Sequence, residues 1–444
     1  MSLKFFVEKK YIPDDGSVEN IETFEKNTQA EILIYPDAHL KKGALIANGM
    51  LISTPHEIFL SCLGVENCGF TFGKINGITN ENELINSFKN FSSILSERKE
   101  LKKYDKKSIL NKFEIYLKKD YVNKKFLYNY LGFKTIEDLI VAAKEILDDR
   151  LLTLAADSLC TLGGGNHFFE IHKIVEQFEP SIFKNGDYIF MLHSDSIAVG
   201  DTIYELYSDL HEMKRTGTLR EKYRVLKFKA YQKKYFDKIC RIYPEIKNDL
   251  KLIFSPRNDY QSIDIRTSLG KNLMLAHNLS SVFGEMNRDA IIEEWTNSQK
   301  ISISKLGSHS HDNVTAELHN NQLRIVHRNG VQNIGKDEYC ILPSAMGDFS
   351  YIMKNPQNED AYYSTNHGTG RIQDKHIAKE VYTEKTTLHE IEEKQISLFR
   401  VGNGNLAEQN MHAFKEPSSI IHEMEKNNLA YKLAKTFPIA VIKG

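Results

Sequence analysis

The sequence predicts an α+β fold, on three observations. Strand-like and helix-like stretches are mixed along the chain without the regular βαβ alternation that a doubly wound sheet demands. No internal repeat is present. The 444 residues are 41% apolar and 26% charged, an ordinary balance for a chain that buries a substantial core over most of its length.

The elements follow in order. Short β-like runs fill the first 75 residues, at Glu31 to Tyr35, Ala44 to Ser53 and Ile58 to Leu63, joined by loops carrying Pro36, Asp37 and Gly43. From Arg98 to Lys125 the character changes, with eleven Lys/Arg against four Asp/Glu. Helical periodicity then runs from Ile136 to Leu159 and is broken at Gly163-Gly164-Gly165. Tyr188 to His193 reads as a buried strand ending in polar residues. Lys214 to Lys238 is again basic, with ten Lys/Arg against two acids and tyrosines interleaved. A long helix is expected from Leu269 to Trp295, a short strand at Leu323 to His327, and two helices near Leu388 to Leu398 and Pro417 to Leu433. The apolar run Pro438 to Ile442 and a terminal Lys443-Gly444 close the chain.

Net charge is −1, so no global field draws the chain onto nucleic acid, although a local basic groove is compatible with it. The five cysteines are scattered with no CxxC pair, and the start lacks the charged head and apolar stretch of a secretion signal. No apolar run approaches the roughly 20 residues needed to span a bilayer. A reducing cytoplasm and no membrane partner are the expectations.

Several apolar runs end abruptly in polar clusters: Pro36-Asp37-Ala38-His39, Glu66-Asn67-Cys68-Gly69, Gly165-Asn166-His167, His193-Ser194-Asp195-Ser196 and His311-Asp312. Neutral imidazole and thiolate bind Mn²⁺ or Zn²⁺, and carboxylates add hard oxygens. Taken singly, such histidines more often satisfy local hydrogen bonds; their joint occurrence points to a metal site.

Asn366-His367-Gly368-Thr369-Gly370-Arg371 is sharper. Its glycines let a phosphate approach the backbone, Arg371 offers a planar fork, and a histidine of fixed tautomer is a nucleophile at phosphorus. The competing reading is a glycine-rich loop holding one surface histidine. Pro343 to Tyr351 offers backbone N–H groups and hydroxyls to an anion or base. The two Lys-rich segments can track an RNA backbone, or simply be solvated helix faces.

In this order the motifs resemble the RtcB family of RNA ligases, on Gly165-Asn166-His167-Phe168-Phe169-Glu170, His367-Gly368-Thr369-Gly370-Arg371 and Val441-Ile442-Lys443-Gly444 together. The resemblance implies one large mixed domain over residues 1–444, its sheets surrounded by helices, with insert-like basic segments near 98–135 and 205–260. It implies joining of RNA 3′-phosphate or 2′,3′-cyclic phosphate ends to 5′-hydroxyl ends, with GTP and two Mn²⁺ ions. An activating protein is a partner it leaves open, and the setting is RNA repair or tRNA splicing. By position, His367 would carry GMP and Asp37 would orient it. Cys68, His167, His193 and His311 would bind manganese. Asn166, His167, Phe168, Phe169 and Glu170 would line the guanylate site, completed by Pro343, Met346, Ser350, Gly368, Thr369, Gly370 and Lys443.

The chain also departs from the family. Val-Asp-x-Gly-Cys-Gly stands here as Val65-Glu66-Asn67-Cys68-Gly69, one residue shorter, with Glu66 as the candidate for the acidic ligand. Asp312 replaces an asparagine, Ser344-Ala345 replaces Gly-Ser, and Asn329 replaces a lysine. A divergent member with retuned metal geometry or RNA substrate is implied. The rival readings are a metal-dependent phosphoesterase or nuclease acting on RNA ends, and a catalytically inactive RNA-binding paralogue.

Overall fold

Two β-sheets meet at the polar motifs. The computed structural model describes residues 3–28, 30–40, 46–63, 67–78, 80–179, 182–204, 262–335 and 338–444. The larger sheet runs Tyr339–Leu342, Ser350–Lys354, Tyr431–Lys443, Phe168–Gln177, Tyr188–Ser194, Gly69–Asn76 and Ser302–Ser310, with Ser397–Arg400 parallel to the end of Tyr431–Lys443. The smaller sheet has the order Leu3–Phe5, Glu31–His39, Asn48–Thr54, Gln322–Asn329 and Asp312–His319. The edge strands Ser302–Ser310 and Asp312–His319 are separated by His311 alone, so the chain passes directly from one sheet to the other.

Helices cover one face of the larger sheet. Ser268–Gln299 is the central one, capped by the Thr267 side chain, which accepts from the Gly270 N–H. Its buried residues run from Gly270 to Trp295 on nearly every side, as expected of a helix enclosed by its neighbours. Glu81–Glu97, Lys106–Asn123, Lys125–Leu131, Ile136–Ile146 and Asp149–Ser158 share its core with Phe169, Phe190 and Trp295. Ser17–Thr28 packs on the smaller sheet through Ile21 and Phe24.

The stretch 98–135 is built into this core through Ile109, Phe113, Leu117, Leu127, Tyr128 and Leu131. Several of its lysines already pair with acids: Lys119 with Glu285, Lys124 with Asp120, Lys106 with Asp149. The second basic segment, near 205–260, lies outside the described residues.

Three expected helices are corrected. Ile136 to Leu159 is two helices, because the Asp148 carboxylate accepts from the Arg150 and Leu151 N–H groups and starts a new one. The helix expected at Leu388 to Leu398 is Glu384–Glu393. Gln395, at φ 59°, turns the chain into the strand Ser397–Arg400. Pro417 to Leu433 stops at Lys426, where Asn428 at φ 53° leads into the 13-residue strand Tyr431–Lys443. Among the described residues, no helix is long and apolar enough to cross a membrane.

Candidate functional site

Register brings the motifs together. Gly69 pairs with Ser194 on one side and Ser310 on the other, so Cys68, His193 and His311 sit at one level of the larger sheet. Phe168 pairs with both His193 and Lys443, which places His167 and the C-terminal lysine at the same end. From the smaller side, Asp37 lies near the end of Glu31–His39. Asn366 pairs with Val331, bringing His367 beside Gly330. The His311 N–H donates to the Cys68 carbonyl at 3.0 Å, and the Val331 N–H to the His311 carbonyl at 2.9 Å, tying the larger sheet to the two-stranded sheet of Val331–Asn333 and Ser364–Asn366 that leads into His367.

The resulting cavity of about 480 Å³ is in the range that encloses a nucleotide-sized ligand. Cys68, His167, His193, His311 and His367 line it, with Asn166, Phe168, Glu170, Pro343, Met346, Gly368, Thr369, Gly370 and Lys443. Asp37 stands behind the wall, fully buried, with Oδ2 2.6 Å from Nδ1 of His367. Gly370, at φ 76°, is required there: a Cβ would lie 2.3 Å from the Asp37 carbonyl oxygen.

Two expected lining residues sit elsewhere. Strand alternation sends Phe168 and Glu170 to the cavity and Phe169 to the opposite face, against Phe88 at 4.8 Å and Trp295 at 5.0 Å. Ser350 is buried beneath the wall, its hydroxyl accepting from the Ser344 N–H at 3.1 Å, so it supports the Pro343–Met346 loop from behind. Glu66 lies outside the described residues.

The donor set suits divalent cations. Ligand atoms of Cys68, His167 and His193 lie within 4.8 Å of one another, and so do those of Cys68, His311 and Asp312. Cys68 belongs to both groups, the arrangement of a thiolate shared by two ions. His193 Nε2 and His311 Nε2 face each other at 3.0 Å. Burial dominates the titration of these rings. It lowers His167 to about 3, with Lys443 and His311 adding to it; it holds His193 well below the usual histidine range, and it outweighs Asp312 to lower His311 as well. Neutral rings are the metal-binding form. The described residues therefore fit a pair of divalent ions.

His367 differs. Burial opposes its charge, but the hydrogen bond and charge of Asp37, then Asp312, outweigh it and raise the ring above its ordinary value. Asp37 thereby fixes the proton on Nδ1 and leaves Nε2 as the free lone pair of the neutral ring. Elsewhere the wall holds polar atoms without protein hydrogen-bond partners: both terminal nitrogens of Arg371, the Thr369 hydroxyl, the Ser344 hydroxyl and Gln409 Nε2. Arg371 stacks on Phe414 at 4.3 Å, which fixes the plane of its fork. Burial lowers its guanidinium to about 10, against Glu408 and Asp374. Lys443 donates to the His167 carbonyl at 2.9 Å and is brought down to about 7 by burial, against the pull of Glu170.

Three contributors, Phe414, Lys375 and Lys415, were not expected from the sequence, whereas Asp195 belongs to a polar cluster already noted there. Phe414 and Lys375 line the cavity, as does Asp195, which lies 3.8 Å from His167 Nε2. Lys415 is buried under the Asp37 loop and donates to the carbonyls of Pro36 at 3.0 Å and Ala38 at 2.8 Å. Lys375 follows the His367 motif closely enough to have been read with it. Phe414 and Lys415 carry no local signal, since only the bridge between Arg371 and Phe414 brings that turn to the site.

A family model described as "tRNA-splicing ligase RtcB" matches residues 18–444. The chain is 21% identical over 326 residues to an "RNA-splicing ligase RtcB" of Mycobacterium tuberculosis, covering 67% of each chain. It is 24% identical over 327 residues to a "tRNA-splicing ligase RtcB" of Aeropyrum pernix, covering 65% of this chain and 60% of the relative. An "RNA-splicing ligase RtcB" of Escherichia coli is 25% identical over 238 residues, 51% of this chain and 48% of that protein. The matched regions thus span 48% to 67% of these relatives.

Proposed function

We propose, from the premise that the chain belongs to the RtcB family, that it joins RNA 3′-phosphate or 2′,3′-cyclic phosphate ends to 5′-hydroxyl ends through a GMP–His367 intermediate. The observation that carries this reading is the buried Asp37–His367 pair, set against a ring-to-ring distance of 4.9 Å between His367 and His311. In this reading a tautomer-fixed nucleophile lies beside residues suited to cations.

Two Mn²⁺ ions would be held by Cys68, His167 and His193 on one side and by Cys68 with His311 on the other. They would supply Lewis-acid neutralisation of phosphate charge. His367 Nε2 attacks the α-phosphorus of GTP, forming a P–N bond as the P–O bond to pyrophosphate breaks. Asp37 accepts the Nδ1 hydrogen bond throughout and stabilises the charge that grows on the ring. Arg371, its fork preset by Phe414, neutralises phosphate oxygens. Glu170, whose Oε2 is already paired with His172 Nε2 at 2.8 Å, would turn its other oxygen to the ring N–H or amino group of guanine, with Lys443 beside it.

An RNA 3′-phosphate oxygen then attacks the phosphoramidate, the P–N bond breaks, and GMP activates the RNA end. The 5′-hydroxyl attacks the RNA phosphorus, a phosphodiester forms and GMP leaves. A cyclic phosphate end is first hydrolysed to the 3′-phosphate. The thiolate demanded of Cys68 fits a reducing cytoplasm.

Two short RNAs, one ending in a 3′-phosphate and one starting in a 5′-hydroxyl, test the proposal. With GTP and Mn²⁺ the expected result is a joined product that requires both. Cleavage or dephosphorylation of the ends without GTP, and no joining, would identify a hydrolase instead.

A further inference from the structure

We infer that Asp312 is the acidic ligand of the second divalent ion, completing the set begun by Cys68 and His311. The inference rests on the metal-dependent reading above. The position before Cys68 holds Asn67, a neutral residue whose Nδ2 donates to the Ser280 hydroxyl on the central helix at 2.9 Å. Its Nδ2 is thereby held to that helix, and an amide brings no negative charge to a cation.

A carboxylate is instead supplied from across the sheet junction. Asp312 opens the strand Asp312–His319 directly after His311, opposite Asn329. Its Oδ1 accepts from the Gly330 N–H at 2.7 Å, which locks the carboxylate plane. Its Oδ2 lies 3.3 Å from Nδ1 of His311, a buried nitrogen that makes no aligned hydrogen bond. Two cation-binding atoms thus face each other at ion-pair distance, in an arrangement that a shared cation can replace. A separation of 3.3 Å matches the edge of a coordination polyhedron with metal–ligand bonds of about 2.1 Å. The Cys68 thiol completes this group, with all three ligand atoms within 4.8 Å of one another.

The alternative is that Asp312 only caps Gly330 and steadies His311. Asp312→Asn separates the two, because an amide oxygen keeps the Gly330 hydrogen bond while the negative charge is lost. Asp312→Ser gives a second variant should the first fold poorly, and unfolding curves of both establish the folded fraction.

The readout is bound Mn²⁺ per chain after equilibrium dialysis, with the affinity of each ion from titration. The wild type is expected to hold two ions. Asp312→Asn should hold one at wild-type affinity and the other at least about 10-fold more weakly. His167→Ala should lose the opposite ion, and Glu66→Gln should keep both. Two ions at unchanged affinity in Asp312→Asn would overturn the inference, as would loss of an ion in Glu66→Gln alone. A wild type that binds no Mn²⁺ would overturn this inference and the metal-dependent reading together. Two ions lost and kept as expected, with no RNA joining, would support Asp312 and overturn ligation.

Discussion

Nδ1 of His367 lies 2.6 Å from Oδ2 of Asp37, a contact between residues 330 positions apart in the chain. The carboxylate is fully buried and the ring is partly open to the cavity, so the pair presents one nitrogen to the protein and the other to a ligand. Asp37→Asn keeps the shape but removes the charge and can impose the wrong tautomer. The rate of GMP transfer to His367 should fall by at least about 100-fold with little change in stability. Single-turnover labelling with GTP checks this, and an unchanged rate would remove Asp37 from the mechanism.

Arg371 should act through its fork and its stacking. Arg371→Lys retains a charge but loses the two coplanar donors, and Phe414→Ala removes the aromatic face. The lysine variant is expected to weaken GTP use by about 10-fold or more. The alanine variant should cost about 0.5–2 kcal/mol in transition-state stabilisation. Comparing kcat/KM for the single and double variants shows whether the two act as one unit, in which case their effects are not additive.

Lys415 is a positioning residue for the Asp37 loop. Lys415→Met leaves the Pro36 and Ala38 carbonyls unpaired, at about 1–3 kcal/mol each. Burial holds this ammonium at about 8, against the pull of Asp37 and Asp15. Its folded value lies below the unfolded one, so the folded chain releases the proton first as pH rises. The linkage therefore adds stability above the ordinary lysine range, and this is lost as pH falls through about 8. Urea unfolding should show the wild type gaining on Lys415→Met between neutral and strongly alkaline pH. A constant difference would contradict it.

Cys68 belongs to both ligand groups, so its loss should affect both ions. Mn²⁺ at 100 times its dissociation constant stabilises a folded chain by about 2.7 kcal/mol per site. The wild type should melt at a higher temperature when Mn²⁺ is added, and Cys68→Ser should show little of this shift. Equal shifts in both proteins would exclude the shared thiolate.

The sequence was most legible where one residue type does one job. Glycines around His367 and the strand ends at His193 and Cys68 announced themselves through motif and pattern. Phe169 was misplaced because a motif read as a string ignores the alternation of a strand, which turns every second side chain away. Lys415 and Phe414 were invisible because their role exists only after Arg371 bridges to that turn. The helix boundaries failed for a local reason: Asp148 caps a new helix inside an unbroken apolar period. Asp312 was noticed as a departure, but its orientation depends on the Gly330 N–H, which pairing of the smaller sheet alone brings within reach.

Everything proposed for this site turns on His367 carrying the nucleotide. Incubation of the wild type with GTP radiolabelled at the α-phosphate and Mn²⁺, followed by denaturation, tests it most directly. A phosphoramidate on His367 gives a covalent label that is stable to base, lost in acid, and absent from His367→Ala. A wild type that binds Mn²⁺ but takes no label, or a label that survives in His367→Ala, would contradict it.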